Sequence, residues 1–224
     1  AVHSGPESKR HSFDAVVSER DLRETYLPAF KDLVTKAGVD EVMFAYNRFE
    51  GTPCGANTRL LQDILRNEYG YGGIIVSDCW AVSDFFGGHK WSEDGTAAVA
   101  AAINAGMDLE CGQLTPLAPK AVQQGILREN RIDESVSRLL AIRFRLGEMD
   151  FDSPWDSIPE SALCSGAHSE QALKMARETM VLLKNDGILP LKEGTKVALM
   201  GPNAADSVMM WGNYNGFPLR TESA

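Results

Sequence analysis

An aspartate, a tyrosine and a glutamate close three short apolar runs. Asp78 ends Gly72-Gly73-Ile74-Ile75-Val76-Ser77, Tyr46 ends Glu41-Val42-Met43-Phe44-Ala45, and Glu110 ends Gly106-Met107-Asp108-Leu109. A carboxylate beside a tyrosine hydroxyl and a second acid is equipment for general acid–base work or glycoside hydrolysis. A carboxylate placed as a buried strand ends is costly unless it is used or well paired. That makes Asp78 the first candidate for chemistry. Each of the three also has a plainer reading: Asp78 as the N-cap of the next segment, Tyr46 as a core aromatic, Glu110 as a solvated loop acid. Asp84, Glu93 and Asp94 read as solvated acids.

Other chemistries find little support. His3, His11, His89 and His168 show no ligand spacing, and Cys54, Cys79, Cys111 and Cys164 contain no CxxC, so no metal is expected. No Gly-x-Ser-x-Gly elbow is present. No phosphate-cradling glycine loop follows the apolar runs, and Gly201-Pro202-Asn203-Ala204 lacks the lysine and spacing of one, so no cofactor is expected. The net charge of −9 argues against nucleic acid or an anionic membrane as partner. No apolar run approaches the ~20 residues of a membrane span. No signal-peptide pattern opens the chain, which begins at Ala1 rather than Met.

The elements that must position these residues follow from periodicity. The 224 residues, 44% hydrophobic and 24% charged, are enough for one large domain or one domain and part of another. Residues 1–19 read as a polar loop carrying His3, Lys9, Arg10 and His11. Ser18 precedes a helical run through Leu22, Leu27, Phe30, Leu33 and Val34, with a kink or restart at Pro28 and a stop at Gly38. A strand from Glu41 to Tyr46 leads into a polar loop, Asn47 to Pro53. Asn57 or Thr58 caps a helix ending near Gly70. The Asp78 strand follows, then an alanine-rich helix, Thr96 to Ala105, a short strand from Gly106 to Glu110, and helices over 115–124 and 133–145, with Gly147 as C-cap. Three strand–loop–helix units in a row imply a parallel α/β sheet, doubly wound or closed into a barrel. Composition shifts at Asp150 to Pro159, a surface linker. Beyond it an amphipathic helix, His168 to Lys184, and a buried strand, Lys196 to Met200, read as the opening of a second α/β domain.

Read together, six ordered motifs resemble glycoside hydrolase family 3. They are Ala1-Val2-His3-Ser4-Gly5-Pro6-Glu7, the run Asp21 to Phe30, Val42-Met43-Phe44-Ala45-Tyr46-Asn47, Ile75-Val76-Ser77-Asp78, Ala105-Gly106-Met107-Asp108-Leu109 and the run Val181 to Leu191. The resemblance implies an α/β chain: the second half of a (β/α)8-type barrel at 1–149, a linker at 150–167, and the beginning of an α/β sandwich at 168–224, with the active site between the two domains. It places Asp78 on the catalytic nucleophile and Tyr46 on a tyrosine that hydrogen-bonds near it. Arg10 aligns with a sugar-binding arginine, and Met43, Cys79 and Glu110 join the candidate sugar contacts.

Ser77-Asp78-Cys79 together with Asp108-Leu109-Glu110-Cys111-Gly112 is similar to the β-xylosidase and α-L-arabinofuranosidase branch. There a Cys79–Cys111 bridge would sit beside C5 of the sugar and favour pentoses; the alternative is two buried free thiols. The implied activity is retaining, exo-acting release of terminal β-D-xylose from an oligosaccharide or glycoside. A β-glucosidase and a non-catalytic carbohydrate-binding remnant are the rival readings. The family's Lys-His pair would precede Ala1 and its acid/base glutamate would follow Ala224, so an internal fragment of a longer enzyme is expected. A secreted or periplasmic address is expected from the family alone.

Overall fold

The computed structural model describes residues 2–149, 153–212 and 214–217. Ala1 of the first motif, residues 150–152 of the expected linker and residues 213 and 218–224 of the expected second domain lie outside them. The chain divides into two compact units, Ala1–Ser157 and Ile158–Ala224.

The first unit is mixed α/β. Its strands are β1 (Asp14–Ala15), β2 (Glu41–Phe44), β3 (Arg48–Phe49), β4 (Thr52–Pro53) and β5 (Ile74–Ser77). β2 and β5 run parallel, with Glu41 opposite Ile74 and Phe44 opposite Ser77. The expected third strand is reduced to one parallel bridge, Val76 to Leu109. Asp108 is the reason: its backbone and side chain both bond to Ile75, which ties this segment to β5 through a side chain where a longer ladder would use the backbone. The loop expected at 1–19 contains β1, and the loop at 47–53 is the β3–β4 hairpin; β1 pairs parallel to β3. Two-residue strands carry no readable alternation, so periodicity misses them.

Helical segments precede, separate and follow β2 and β5 along the chain. Ser18 Oγ accepts from Asp21 N and starts the first helical segment. Pro28 restarts it over Pro28–Asp32, at a first-turn position where the missing N–H costs nothing. Gly38 ends it at φ 65°, a left-handed value that suits glycine. Asn57 Oδ1 accepts from Leu60 N at the head of Arg59–Glu68, whose Leu60, Leu61, Ile64 and Leu65 are buried. Asp94 is no free acid: its Oδ1 caps Gly95–Ala105 through Ala97 N at 2.8 Å. In that helix Ala98, Val99 and Ala102 are wholly buried, the close approach that small side chains permit. Ala118–Gln123 and Glu129–Arg145 follow. The core joins Leu22, Phe44, Phe49, Leu61, Ile75, Val82, Phe85 and Val99.

The second unit holds one long helix, Gly166–Glu178, capped by Ser165 Oγ. It stops short of the expected Lys184. The expected buried strand Lys196–Met200 is neither paired nor buried: Val197, Leu199 and Met200 are exposed. A strand with an apolar sequence still needs a neighbour to accept its backbone hydrogen bonds, and no described residue of this unit offers one. Asn185 organises the turn that follows Lys184, accepting from Gly187 N and Leu189 N and donating to Leu189 O.

Candidate active site

The site is built where β2 and β5 end. Asp78 N donates to Phe44 O at 3.2 Å, so the backbone of Asp78 still belongs to the sheet while its side chain has left the ladder. In parallel α/β sheets the carboxyl ends of strands are where ligands bind. Asp78 is half-buried, and its Oδ1 accepts from Cys79 N at 2.7 Å. That bond to the very next residue is unlike an N-cap, which accepts two or three residues further on. Ser18, Asp94 and Ser165 do cap in that way.

Behind Asp78 the chain is pinned to the segment around Cys111. Ser77 N donates to Leu109 O, Cys111 N donates to Ser77 Oγ at 2.8 Å, and Trp80 N donates to Cys111 O at 2.7 Å. A Cys79–Cys111 disulfide closes the same junction, so these thiols are not free; the free cysteines are Cys54, buried, and Cys164, exposed. Trp80 takes φ 68° and leaves its ring half-exposed.

Tyr46 lies two residues past the end of β2. Its hydroxyl donates to Cys79 O at 2.7 Å. Cys79 turns its carbonyl toward the ring as Asp78 folds back on Cys79 N, and the Tyr46 hydroxyl also interacts with the Asp78 carboxylate. Burial, and after it the neighbouring Asp78 carboxylate, push the Tyr46 hydroxyl up to about 12, so it stays a proton donor. The Arg10 guanidinium lies 5.1 Å from the centre of the Tyr46 ring, a cation–π distance. Arg10, Tyr46 and Asp78 therefore come together from three separate stretches of chain.

Met43 and Glu110 fare differently. Met43 is on β2, mostly exposed, and alternates with Phe44, which is buried. Glu110 is not a solvated acid. Its carboxylate accepts from Leu114 N, Thr115 N and Thr115 Oγ1 at 2.6 to 3.1 Å, holding the turn that leads into Thr115–Leu117. Both of its oxygens are engaged in that turn.

Three further residues belong to the group. Asp84, expected to be solvated, bonds His11 Nδ1 through Oδ2 at 2.7 Å. His11 lies edge-on to Tyr46 with ring centres 4.5 Å apart. His89 is buried, with Nε2 2.8 Å from Tyr46 O and Nδ1 without a hydrogen-bond partner. In the sequence their one shared signal is position, in the loops that flank Arg10 and Asp78. Among the described residues no cluster of three or more His, Cys, Asp or Glu is arranged to hold a metal ion. No described helix is long and apolar enough to cross a membrane.

Residues 2–142, which carry every one of these side chains, match the Glycosyl hydrolase family 3 N terminal domain. The chain belongs to this family. A xylan 1,4-beta-xylosidase of Xylanibacter ruminicola is 52% identical over 99% of this chain and 26% of its own length. A probable exo-1,4-beta-xylosidase of Aspergillus terreus is 40% identical over 93% of this chain and 28% of its own. The chain thus spans about a quarter of the length of the curated relatives it matches. Among solved structures, a GH3 exo-beta-xylosidase in complex with a xylobiose aziridine probe superposes with a TM-score of 0.80 at 32% identity, covering 92% of this chain and 27% of that one. A beta-glucosidase from Listeria innocua in complex with glucose gives 0.73 at 30% identity, covering 89% and 28%.

Proposed function

We propose that the protein is a retaining, exo-acting glycoside hydrolase that releases terminal non-reducing β-D-xylose, with Asp78 as nucleophile. The observation that carries this reading is the convergence of Asp78, Tyr46 and Arg10 at the ends of two parallel strands in a family 3 domain. On this reading the first unit is the second half of a (β/α)8-type barrel and the second opens an α/β sandwich.

The Asp78 carboxylate attacks the anomeric carbon. The bond to the leaving oxygen breaks as a second acid protonates that oxygen, and a glycosyl-enzyme ester forms. Water, deprotonated by the same second group, then releases the sugar with net retention. In retaining enzymes the two carboxyl groups stand about 5–5.5 Å apart. Tyr46, protonated and donating to Cys79 O, keeps its hydroxyl beside the proposed nucleophile and interacts with its carboxylate. Arg10 supplies a cation and hydrogen-bond donors for sugar hydroxyls.

On this reading, preference for pentoses comes from the Cys79–Cys111 bridge, directly after the proposed nucleophile, as a bulky group that would crowd a hydroxymethyl group on C5. The 52% relative supports xylose over glucose, whereas the likeness to the Listeria beta-glucosidase favours the second reading. Cys79→Ala and Cys111→Ala variants are expected to raise the ratio of glucoside to xyloside turnover. A bridge also suits an oxidising compartment, supporting secretion or a periplasmic address.

The test is covalent capture. A 2-fluoro-xyloside with a good leaving group, incubated with the complete gene product, should add one xylosyl unit to the peptide that contains Asp78. A label on another carboxylate moves the nucleophile. Tight xylose binding without label or turnover turns the assignment to a carbohydrate-binding remnant.

A further inference from the structure

Arg10 and Tyr46 are held by a second set of groups that does not reach Asp78. His11 Nε2 lies 3.2 Å from Arg10 Nε, which can only donate. Nε2 therefore accepts, and the proton of the neutral ring stands on Nδ1. That Nδ1–H donates to Asp84 Oδ2 at 2.7 Å. Asp84 is largely buried, its side chain 17% exposed. The order of contacts is then Asp84, His11, Arg10, with the Arg10 guanidinium over the Tyr46 ring and the His11 ring against its edge.

The backbone is fitted to this chain of contacts. A Cβ at Gly88 would stand 2.1 Å from His11 O, so the loop after Asp78 lies directly on the His11 backbone at a place only glycine allows. One residue on, His89 Nε2 meets Tyr46 O. The stretch before β1, the end of β2 and the loop after β5 are locked together at Tyr46.

We propose that Asp84 and His11 are positioning residues: Asp84 fixes the tautomer and orientation of His11, and His11 in turn aims the Arg10 guanidinium at the sugar. Arg10 is also paired with Glu7 at 3.0 Å, across an exposed contact that leaves its direction poorly fixed. The imidazole acceptor on Nε supplies that direction. This inference rests on the reading of Arg10 and Tyr46 as sugar-binding residues.

A double-mutant cycle on aryl β-xyloside hydrolysis tests it in the complete gene product. Asp84→Ala should lower kcat/KM on the order of ten- to a hundredfold, as misplaced binding groups do, and mostly through KM. Asp84→Asn, which keeps an acceptor oxygen for Nδ1–H, should recover most of the loss. In an Arg10→Ala background, Asp84→Ala should cost almost nothing more, because the two act in series. Losses that multiply in the double variant overturn the proposal.

A second measurement needs no substrate. The imidazole 15N shifts of His11 should report the Nδ1–H form in the wild-type chain and its loss in Asp84→Ala. An Nε2–H form in the wild type, or a form indifferent to Asp84, overturns the proposal even where a variant is too unstable for kinetics. A wild-type protein that neither binds nor hydrolyses xylosides sinks the functional reading instead, and the 15N shifts still decide the His11 arrangement.

Discussion

Asp78 and Asp108 flank the same strand and live under opposite conditions. Asp108 is completely buried as a side chain. Oδ2 accepts from Arg66 Nη2 at 2.6 Å and Ile75 N at 3.0 Å; Oδ1 accepts from Arg138 Nη1 at 2.9 Å, Ser135 Oγ at 3.0 Å and Arg131 Nη2 at 3.2 Å. Asp78 is half-buried, and its recorded hydrogen bond is the one from Cys79 N. A carboxylate wrapped by three guanidinium groups is spent on structure, since every lone pair has a donor. The Asp78 carboxylate takes one backbone donor and has the Tyr46 hydroxyl as its neighbour. The aspartate tied in beside the middle of β5, at Ile75, holds the fold; on the proposed reading, the one just past the strand's carboxyl end is the nucleophile.

The sharpest way to break this contrast is to neutralise each carboxylate. Asp78→Asn should cut xyloside turnover by about a thousandfold or more, as losing a reacting group does, while the melting temperature stays near that of the wild type. A large fall in Tm would make Asp78 a second structural acid. Asp108→Ala should do the reverse. Removing one partner of a buried ion pair leaves uncompensated charge and costs about 3–5 kcal/mol; here three arginines lose their anion. Urea unfolding checks this, and a cost under about 1 kcal/mol would show that water relieves the arginines.

Arg66 sharpens the structural side. Besides Asp108 it donates to Tyr71 O and Gly73 O through Nη1 and to Gly106 O through Nη2. Burial pulls its pKa down, against the Asp108 carboxylate that pulls it up. Arg66→Lys keeps the charge and loses the planar fork, and a single ammonium cannot reach these acceptors on opposite sides. The variant should lose about 1–3 kcal/mol, less than Asp108→Ala, because two arginines remain on the carboxylate.

The same contrast explains what the sequence made legible. β5 was readable because Ile74-Ile75-Val76 is a short apolar run between glycines and an acid, and Asp78 stood out at its end. The caps at Ser18 and Asn57 were readable because they are local. Asp108 was seen only as part of a family motif: its three arginines come from two helices, at sequence distances of 42, 23 and 30 residues. Asp84 looked solvated because its partner, His11, lies 73 residues away. Local periodicity carries no information on pairs of that kind. The second unit failed in the opposite sense: Lys196–Met200 has strand composition, but composition supplies no neighbouring strand.

The smallest expected effect is also the most direct reading of the charge on Asp78. The Tyr46 hydroxyl is raised to about 12 by burial first and by the Asp78 carboxylate second. In Asp78→Asn the second cause disappears, so Tyr46 should titrate lower than in the wild type yet still above the free value of about 10. Absorbance near 295 nm, taken as a difference against Tyr46→Phe, isolates this one ring from Tyr69 and Tyr71, both also raised by burial. The stability consequence has a fixed sign. A phenol that holds its proton more tightly in the folded state contributes stability that is fully present below the unfolded pKa, and that stability is lost as pH rises from about 10 through about 12. Tyr46→Phe should therefore flatten part of the alkaline decline in stability across that window. A Tyr46 pKa unmoved by Asp78→Asn would mean that the carboxylate points away from the ring, and Asp78 would then lack the neighbour that distinguishes its surroundings from those of Asp108.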